Sequence, residues 1–273
     1  MTQPVLAKIM DRKGGMLVIQ AWPWPIIYDT AAETSIFCSK TKRPDGVNLH
    51  RETPSFYKLT GIEVGGKRIP PIQCQLSDQE YKDPSSVFEY SPLILGMNFL
   101  TYSVPAPLFI DYANKVCGWG RRPQAGKRIQ LKWKRPRNGL HNRRYLKQHK
   151  RTSDFLEIQM RMDGEFEPYI IDTGACCIID NSGKHTEKQG SRVYMSNFEG
   201  RKIPSTESKS KVCADKCNND VCERVCSTVP TRHAQKYTGK ENLLGNVGLK
   251  ILAQNGEKLF IYPTSSPYMV IGT

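Results

Sequence analysis

Tyr169-Ile170-Ile171-Asp172-Thr173-Gly174-Ala175-Cys176-Cys177-Ile178-Ile179-Asp180 is the stretch from which the rest of the chain is read. Two β-branched apolar runs flank a carboxylate, a hydroxyl and a glycine, which is the composition of a buried strand, a tight loop and a second buried strand. An acid held between two apolar strands is costly unless a neighbour shares its proton or hydrogen-bonds it, so a partner is expected elsewhere in the sequence.

The partner lies upstream, where Ile26-Ile27-Tyr28-Asp29-Thr30-Ala31-Ala32 repeats the apolar pair, the Asp-Thr and the small residues. Each copy is preceded by a strand-like run, Leu17-Val18-Ile19-Gln20 and Leu156-Glu157-Ile158-Gln159. Each is followed by two apolar residues and a glycine, Ile94-Leu95-Gly96 and Leu243-Leu244-Gly245. A further match, Gly66-Lys67-Arg68-Ile69-Pro70 against Gly200-Arg201-Lys202-Ile203-Pro204, reads as a hairpin turn entering a strand. Four landmarks in one order predict an internal duplication.

With both copies in view, the chain resembles the retropepsins, the aspartic proteases of retroviruses and retrotransposons, over nearly its whole length outside the middle. The resemblance implies an all-β fold of two retropepsin-like (acid protease) β-barrel lobes related by a pseudo-twofold axis, fused in one chain. It implies an aspartic endopeptidase in which Asp29 and Asp172 meet and share a proton. One carboxylate takes a proton from water while the other donates to the scissile carbonyl. Thr30 and Thr173 would bond across the interface, and Ala31, Gly174 and Ala175 would support the loops. The substrate would be a peptide or polyprotein, and no cofactor is implied. Ala31 departs from the glycine usual in the family. Were its backbone to need a positive φ, the methyl would cost about 1 kcal/mol and displace Asp29. Two other readings compete: a catalytically impaired binding module, and an enzyme active only when Asp172 pairs with Asp172 of a second chain.

The 21 glycines and 18 prolines suit a turn-rich β protein. The formal charge of +14 is not spread evenly: residues 121–151 hold 13 Lys or Arg and no acid, leaving the rest of the chain at +1. The division read from this is a first lobe at 1–118, a basic linker at 119–151 with a short helix near Leu140 to Lys147, and a second lobe at 152–273. The basic run suits nucleic-acid phosphates, a nuclear address or an acidic membrane surface as well as it suits a solvated linker. No apolar run reaches membrane-spanning length and no secretory leader is recognised, so a cytoplasmic or nuclear protein is expected, a monomer with pseudo-dimeric lobes.

Within the first lobe an edge strand is expected at Val5–Met10, and Trp22-Pro23-Trp24-Pro25 reads as an edge or turn whose tryptophans plug a barrel end. Lys40 to Tyr57 is where the resemblance implies a hairpin flap over substrate. The second lobe carries 15 extra residues, coinciding with 211–227 and its array Cys213, Cys217, Cys222 and Cys226. On a broken helix these four would bind zinc, form two disulfides or remain plain thiols. Cys38, Cys74, Cys117, Cys176 and Cys177 read as buried apolar residues. No histidine is assigned a role.

Overall fold

The computed structural model describes residues 3–11, 15–84, 86–135, 154–181, 191–196, 202–214, 221–228 and 241–273, with 214 and 221–228 described by backbone alone. The chain is mostly strand, so the all-β expectation is met.

The first half runs β1 (Val5–Met10), β2 (Val18–Ile19), β3 (Ala21–Trp22), β4 (Ile26–Tyr28), β5 (Ser35–Cys38), β6 (Asn48–Arg51), β7 (Tyr57–Thr60), β8 (Glu63–Val64), β9 (Lys67–Arg68), β10 (Ile72–Ser77) and β11 (Leu93–Leu95). A short helix, α1 (Met97–Tyr102), and the strands β12 (Leu108–Asp111) and β13 (Val116–Trp119) complete it. The second half follows with β14 (Gly126–Gln130), β15 (Lys132–Lys134), β16 (Phe155–Met162), β17 (Glu165–Ile171), β18 (Ile178–Asp180), β19 (Ser191–Ser196), β20 (Lys202–Ala214), β21 (Val221–Thr228) and β22 (Asn242–Leu244). It closes with α2 (Asn246–Leu252), β23 (Lys258–Tyr262) and β24 (Tyr268–Gly272).

Strand pairing repeats between the halves. β11 lies parallel to β4 and antiparallel to β5, as β22 lies parallel to β17 and antiparallel to β18. β10 runs parallel to β5, and β21 parallel to β18. The antiparallel series β6–β7–β10 has its counterpart in β19–β20–β21. Ile26, Ile27 and Tyr28 are all buried because both faces of β4 are packed, Ile26 and Tyr28 in the main core and Ile27 in a second cluster with Val18, Phe88 and Ile94, whereas β16 alternates half-buried and buried residues as a one-sided strand does.

The halves meet in one continuous run of strands, β14-β24-β23-β12-β13-β1, within a 13-stranded sheet. Its midpoint is the antiparallel pair β12 and β23, where Phe109 faces Phe260 with ring centroids 5.3 Å apart. About that point β1 corresponds to β14, since β1 pairs β13 and then β2, while β14 pairs β24 and its continuation β15 pairs β16. An 8-stranded sheet holds the rest of the second half, with β20 turning back onto β16, and β3, β8 and β9 make a small third sheet. Among the described residues no closed barrel is formed, which is where the architecture departs from the expected barrel-shaped halves.

Three sequence expectations need correction, and a fourth falls where nothing is described. The start of the supposed linker is not a connector: residues 126–134 form β14 and β15, because buried Ile129 and Leu131 alternate with the basic residues and make one-sided strands of them. The helix expected at 140–147 lies outside the described residues. The described parts of the segment 211–227, residues 211–214 and 221–227, are strand rather than broken helix, the end of β20 and most of β21. Finally, Gly66 turns the chain between β8 and β9, whereas Gly200 falls between β19 and β20, so the Gly-Lys-Arg-Ile-Pro match joins two different places in the topology.

The strand expected at Val5–Met10 is present with those bounds, but it is no edge strand, since β13 pairs it on one side and β2 on the other. Of the two tryptophans, Trp24 is buried against Phe37 at 5.6 Å and Trp22 is 46% exposed.

Candidate active site

Asp29 follows β4 and Asp172 follows β17, and both loops are fixed from below by the strand that crosses next to them. The Asp29 amide donates to Leu95 O at 3.0 Å, and the Asp172 amide donates to Leu244 O at 3.0 Å. The glycines after these leucines sit where only hydrogen fits. A Cβ on Gly96 would stand 2.7 Å from Ala32 O, and one on Gly245 would stand 2.8 Å from Ala175 O. Each glycine opens a short helix whose first amides donate back to the loop: Met97 N to Ala32 O at 2.8 Å and Asn246 N to Ala175 O at 2.9 Å. These pairings equate Ala32 with Ala175, and therefore Ala31 with Gly174.

The two loops are locked to each other through their threonines. Thr30 N donates to Thr173 Oγ1 at 3.0 Å and Thr173 N to Thr30 Oγ1 at 3.1 Å. Thr30 Oγ1 donates onward to Ile171 O at 2.7 Å, and Thr173 Oγ1 donates to Tyr28 O. Both threonines are 0% exposed, so each hydroxyl serves a buried amide and a buried carbonyl of the opposite loop that have no access to water. Residues 143 positions apart are thus held in a reciprocal four-bond lattice.

That lattice brings Asp29 up against the opposite loop. A Cβ built on Gly174 would lie 2.5 Å from Asp29 Cγ and 2.9 Å from Oδ1, so the glycine is there to make room for the carboxylate. Asp29 Oδ1 accepts from the amides of Ala31 at 2.8 Å and Ala32 at 3.0 Å, and Asp172 Oδ1 accepts from Ala175 N at 2.9 Å. Asp172 is 8% exposed, while Asp29 is only partly buried. Burial, and then the charge of Asp29, push the Asp172 carboxyl well above the usual range, against the pull of the Ala175 and Gly174 amides. Asp29 is also raised by burial, opposed by its two amide bonds. Two acids whose charges act on each other in this way titrate as a pair rather than singly.

Neither Ala31 nor Gly174 has a left-handed φ. The strain considered for Ala31 is therefore absent, and the glycine of the second loop is required by close approach, not by backbone angle.

Asn246 and Asn98 belong to the site without having been singled out in the sequence. Asn246 Nδ2 donates to Gly15 O, Thr173 O and Ala175 O at 2.9, 2.8 and 2.9 Å, and its Oδ1 accepts from Tyr112 OH at 2.7 Å. Asn98 Oδ1 accepts from the Ser35 amide at 2.8 Å and hydroxyl at 2.9 Å, while Ser35 Oγ accepts from Gly96 N at 3.0 Å. Their signal was an asparagine within two residues of each Leu-Gly turn.

Cys38, Cys74 and Cys117 are buried as expected, and burial pushes the thiols of Cys38 and Cys74 up to about 12 and that of Cys117 higher still. Cys176 is exposed and Cys177 half-buried, against expectation, because both follow the turn that lifts the chain out of β17 before β18 begins. Of the candidate zinc ligands, Cys213 is buried on β20, Cys217 lies outside the described residues, and Cys222 and Cys226 fall on β21, where only the backbone is described. Among the described residues no cluster of His, Cys, Asp or Glu is disposed to hold a metal, and no helix is long and apolar enough to cross a membrane.

Compared with known proteins, the chain matches no family model and has no significant match among curated proteins.

Proposed function

We propose that this chain is an aspartic endopeptidase of retropepsin type, folded as two pseudo-symmetric lobes, that hydrolyses peptide bonds of polyprotein or unfolded substrates with Asp29 and Asp172. The observation that carries the reading is the reciprocal Thr30–Thr173 lattice, which sets the Asp29 carboxylate against Gly174 of the other loop.

The asymmetry of the pair supports a division of labour. Asp29, the more exposed, is the better carboxylate; Asp172, more deeply buried, is the better proton holder. Asp29 takes a proton from a water lying between the two acids, the oxygen attacks the carbonyl carbon, and Asp172 gives its proton to the carbonyl oxygen. In the resulting gem-diol the C–N bond breaks as the amine leaving group accepts a proton from Asp29, and Asp172 recovers its own as the carbonyl reforms. The β6–β7 and β19–β20 hairpins are suited to cover an extended substrate, and Tyr194 on the second is 71% exposed.

The test is cleavage of a broad library of internally quenched peptides. The wild type should cut, and both Asp29→Asn and Asp172→Asn should be inactive with unchanged melting temperature at acid pH. Retained, concentration-dependent activity in Asp29→Asn would transfer the chemistry to a dimer of second halves, and a wild type that cuts nothing between pH 3 and 8 would refute the endopeptidase reading.

A further inference from the structure

The two halves of the joining sheet are alike in topology but not in charge. Residues 119–135, which contain β14 and β15, carry seven Lys or Arg and no acid, and residues 258–273, which contain β23 and β24, carry one Lys and no acid. Their counterpart β12 ends in Asp111, and Lys115 follows just before β13. On this basic flank the cations are not loose. The Arg128 guanidinium stands 3.8 Å from the centroid of Tyr268, and Tyr268 stacks on Tyr262 with centroids 4.4 Å apart and planes 12° from parallel. Arg122 is close enough to act on the Tyr262 phenol, and Arg121 lies 5.1 Å from the Phe109 ring beside the midpoint of the sheet. Lys127 and Arg128 are exposed, on a strand whose described partner is β24 alone.

We propose that this flank, built from Arg121, Arg122, Arg128, Tyr262 and Tyr268, is a binding surface for single-stranded nucleic acid. The cations supply phosphate contacts, and the layered Arg128–Tyr268–Tyr262 stack supplies flat faces on which unpaired bases lie. An acidic peptide offers the charge but not the planar groups. An anionic membrane offers the charge but finds no apolar side chain here to receive, since the large exposed hydrophobics of the described residues, Trp22, Phe166 and Tyr194, are elsewhere. The surface uses none of the residues assigned to hydrolysis, so this inference stands or falls apart from the endopeptidase reading.

The experiment is fluorescence anisotropy of the full chain with a labelled single-stranded oligonucleotide, titrated between 50 and 200 mM salt. Three phosphate contacts give a log–log slope of about −2, or roughly 20-fold weaker binding across that range. Arg122→Ser with Arg128→Ser should reduce the slope by about 1.4, and Tyr268→Leu should weaken single-strand binding with the slope unchanged. Lys40→Ser with Lys67→Ser, equal in charge lost, should leave binding near wild type. Circular-dichroism melts confirm that each variant is folded. The proposal is overturned if the Arg122/Arg128 variant binds as wild type, if duplex binds as tightly as single strand and ignores Tyr268→Leu, or if only phosphatidylserine vesicles are bound.

Discussion

Gly174→Ala is the sharpest probe of the paired loops. The added methyl would lie 2.5 Å from Asp29 Cγ, where ordinary contact begins near 3.4 Å, so the carboxylate must retreat by about 1 Å. Misplacing a catalytic group by that distance costs on the order of 100-fold in rate, or about 2.7 kcal/mol of barrier. Stability should barely change, because the Thr30 and Thr173 bonds use no atom of Gly174 and its φ lies outside the left-handed region. The assay is kcat/KM on the best peptide from the library, with a thermal melt alongside. Ala31→Gly, the change at the equivalent position, removes a methyl instead and should keep or raise activity. A Gly174→Ala enzyme with native melting temperature and undiminished kcat/KM would refute the claim that the two acids share one site.

Other outcomes follow from the same geometry. Asp172 has its folded-state pKa raised, so its neutral form favours the native state and stability falls as pH rises from the unfolded value near 3.9 through the folded one. Asp172→Asn should therefore melt higher than wild type at neutral pH and converge with it at acid pH, as followed by melts across pH. Thr173→Val strips the buried Thr30 amide and Tyr28 carbonyl of their partner and should cost about 1–3 kcal/mol in denaturant titration. Asn246→Leu leaves the carbonyls of Gly15, Thr173 and Ala175 without their shared donor; it should lower both stability and kcat, since the Asp172 loop loses its brace. Activity should decline as pH rises past the upper apparent pKa of the acid pair, and a rate that climbs monotonically to pH 9 would contradict a shared proton.

Much of this was legible in the sequence because burial on both faces leaves a strong signature. Ile26-Ile27-Tyr28 and Tyr169-Ile170-Ile171 could only be interior strands, and an Asp-Thr after each announced the paired loops. The glycine after each leucine pair was equally readable, since its Cβ would strike the loop carbonyls. What failed depended on partners remote in sequence. β14 looked like linker because charge dominates its composition, and its strand character comes from pairing with β24, more than a hundred residues later. The cysteine array suggested helix from spacing alone, although its register is imposed by β18 and β20. The repeated Gly-Lys-Arg-Ile-Pro tokens were local turn chemistry, which recurs wherever a hairpin reverses.

The way β14 and β15 are placed has one more consequence. They precede residues 136–153 in the chain, yet they hydrogen-bond to β24 and β16, which follow it. The arm before residue 136 thus reaches across onto the arm after residue 153, while β12 pairs with β23. Scission anywhere in 136–153 would yield two polypeptides still held to each other by the β14–β24, β15–β16 and β12–β23 ladders, a heterodimer made from one translation product.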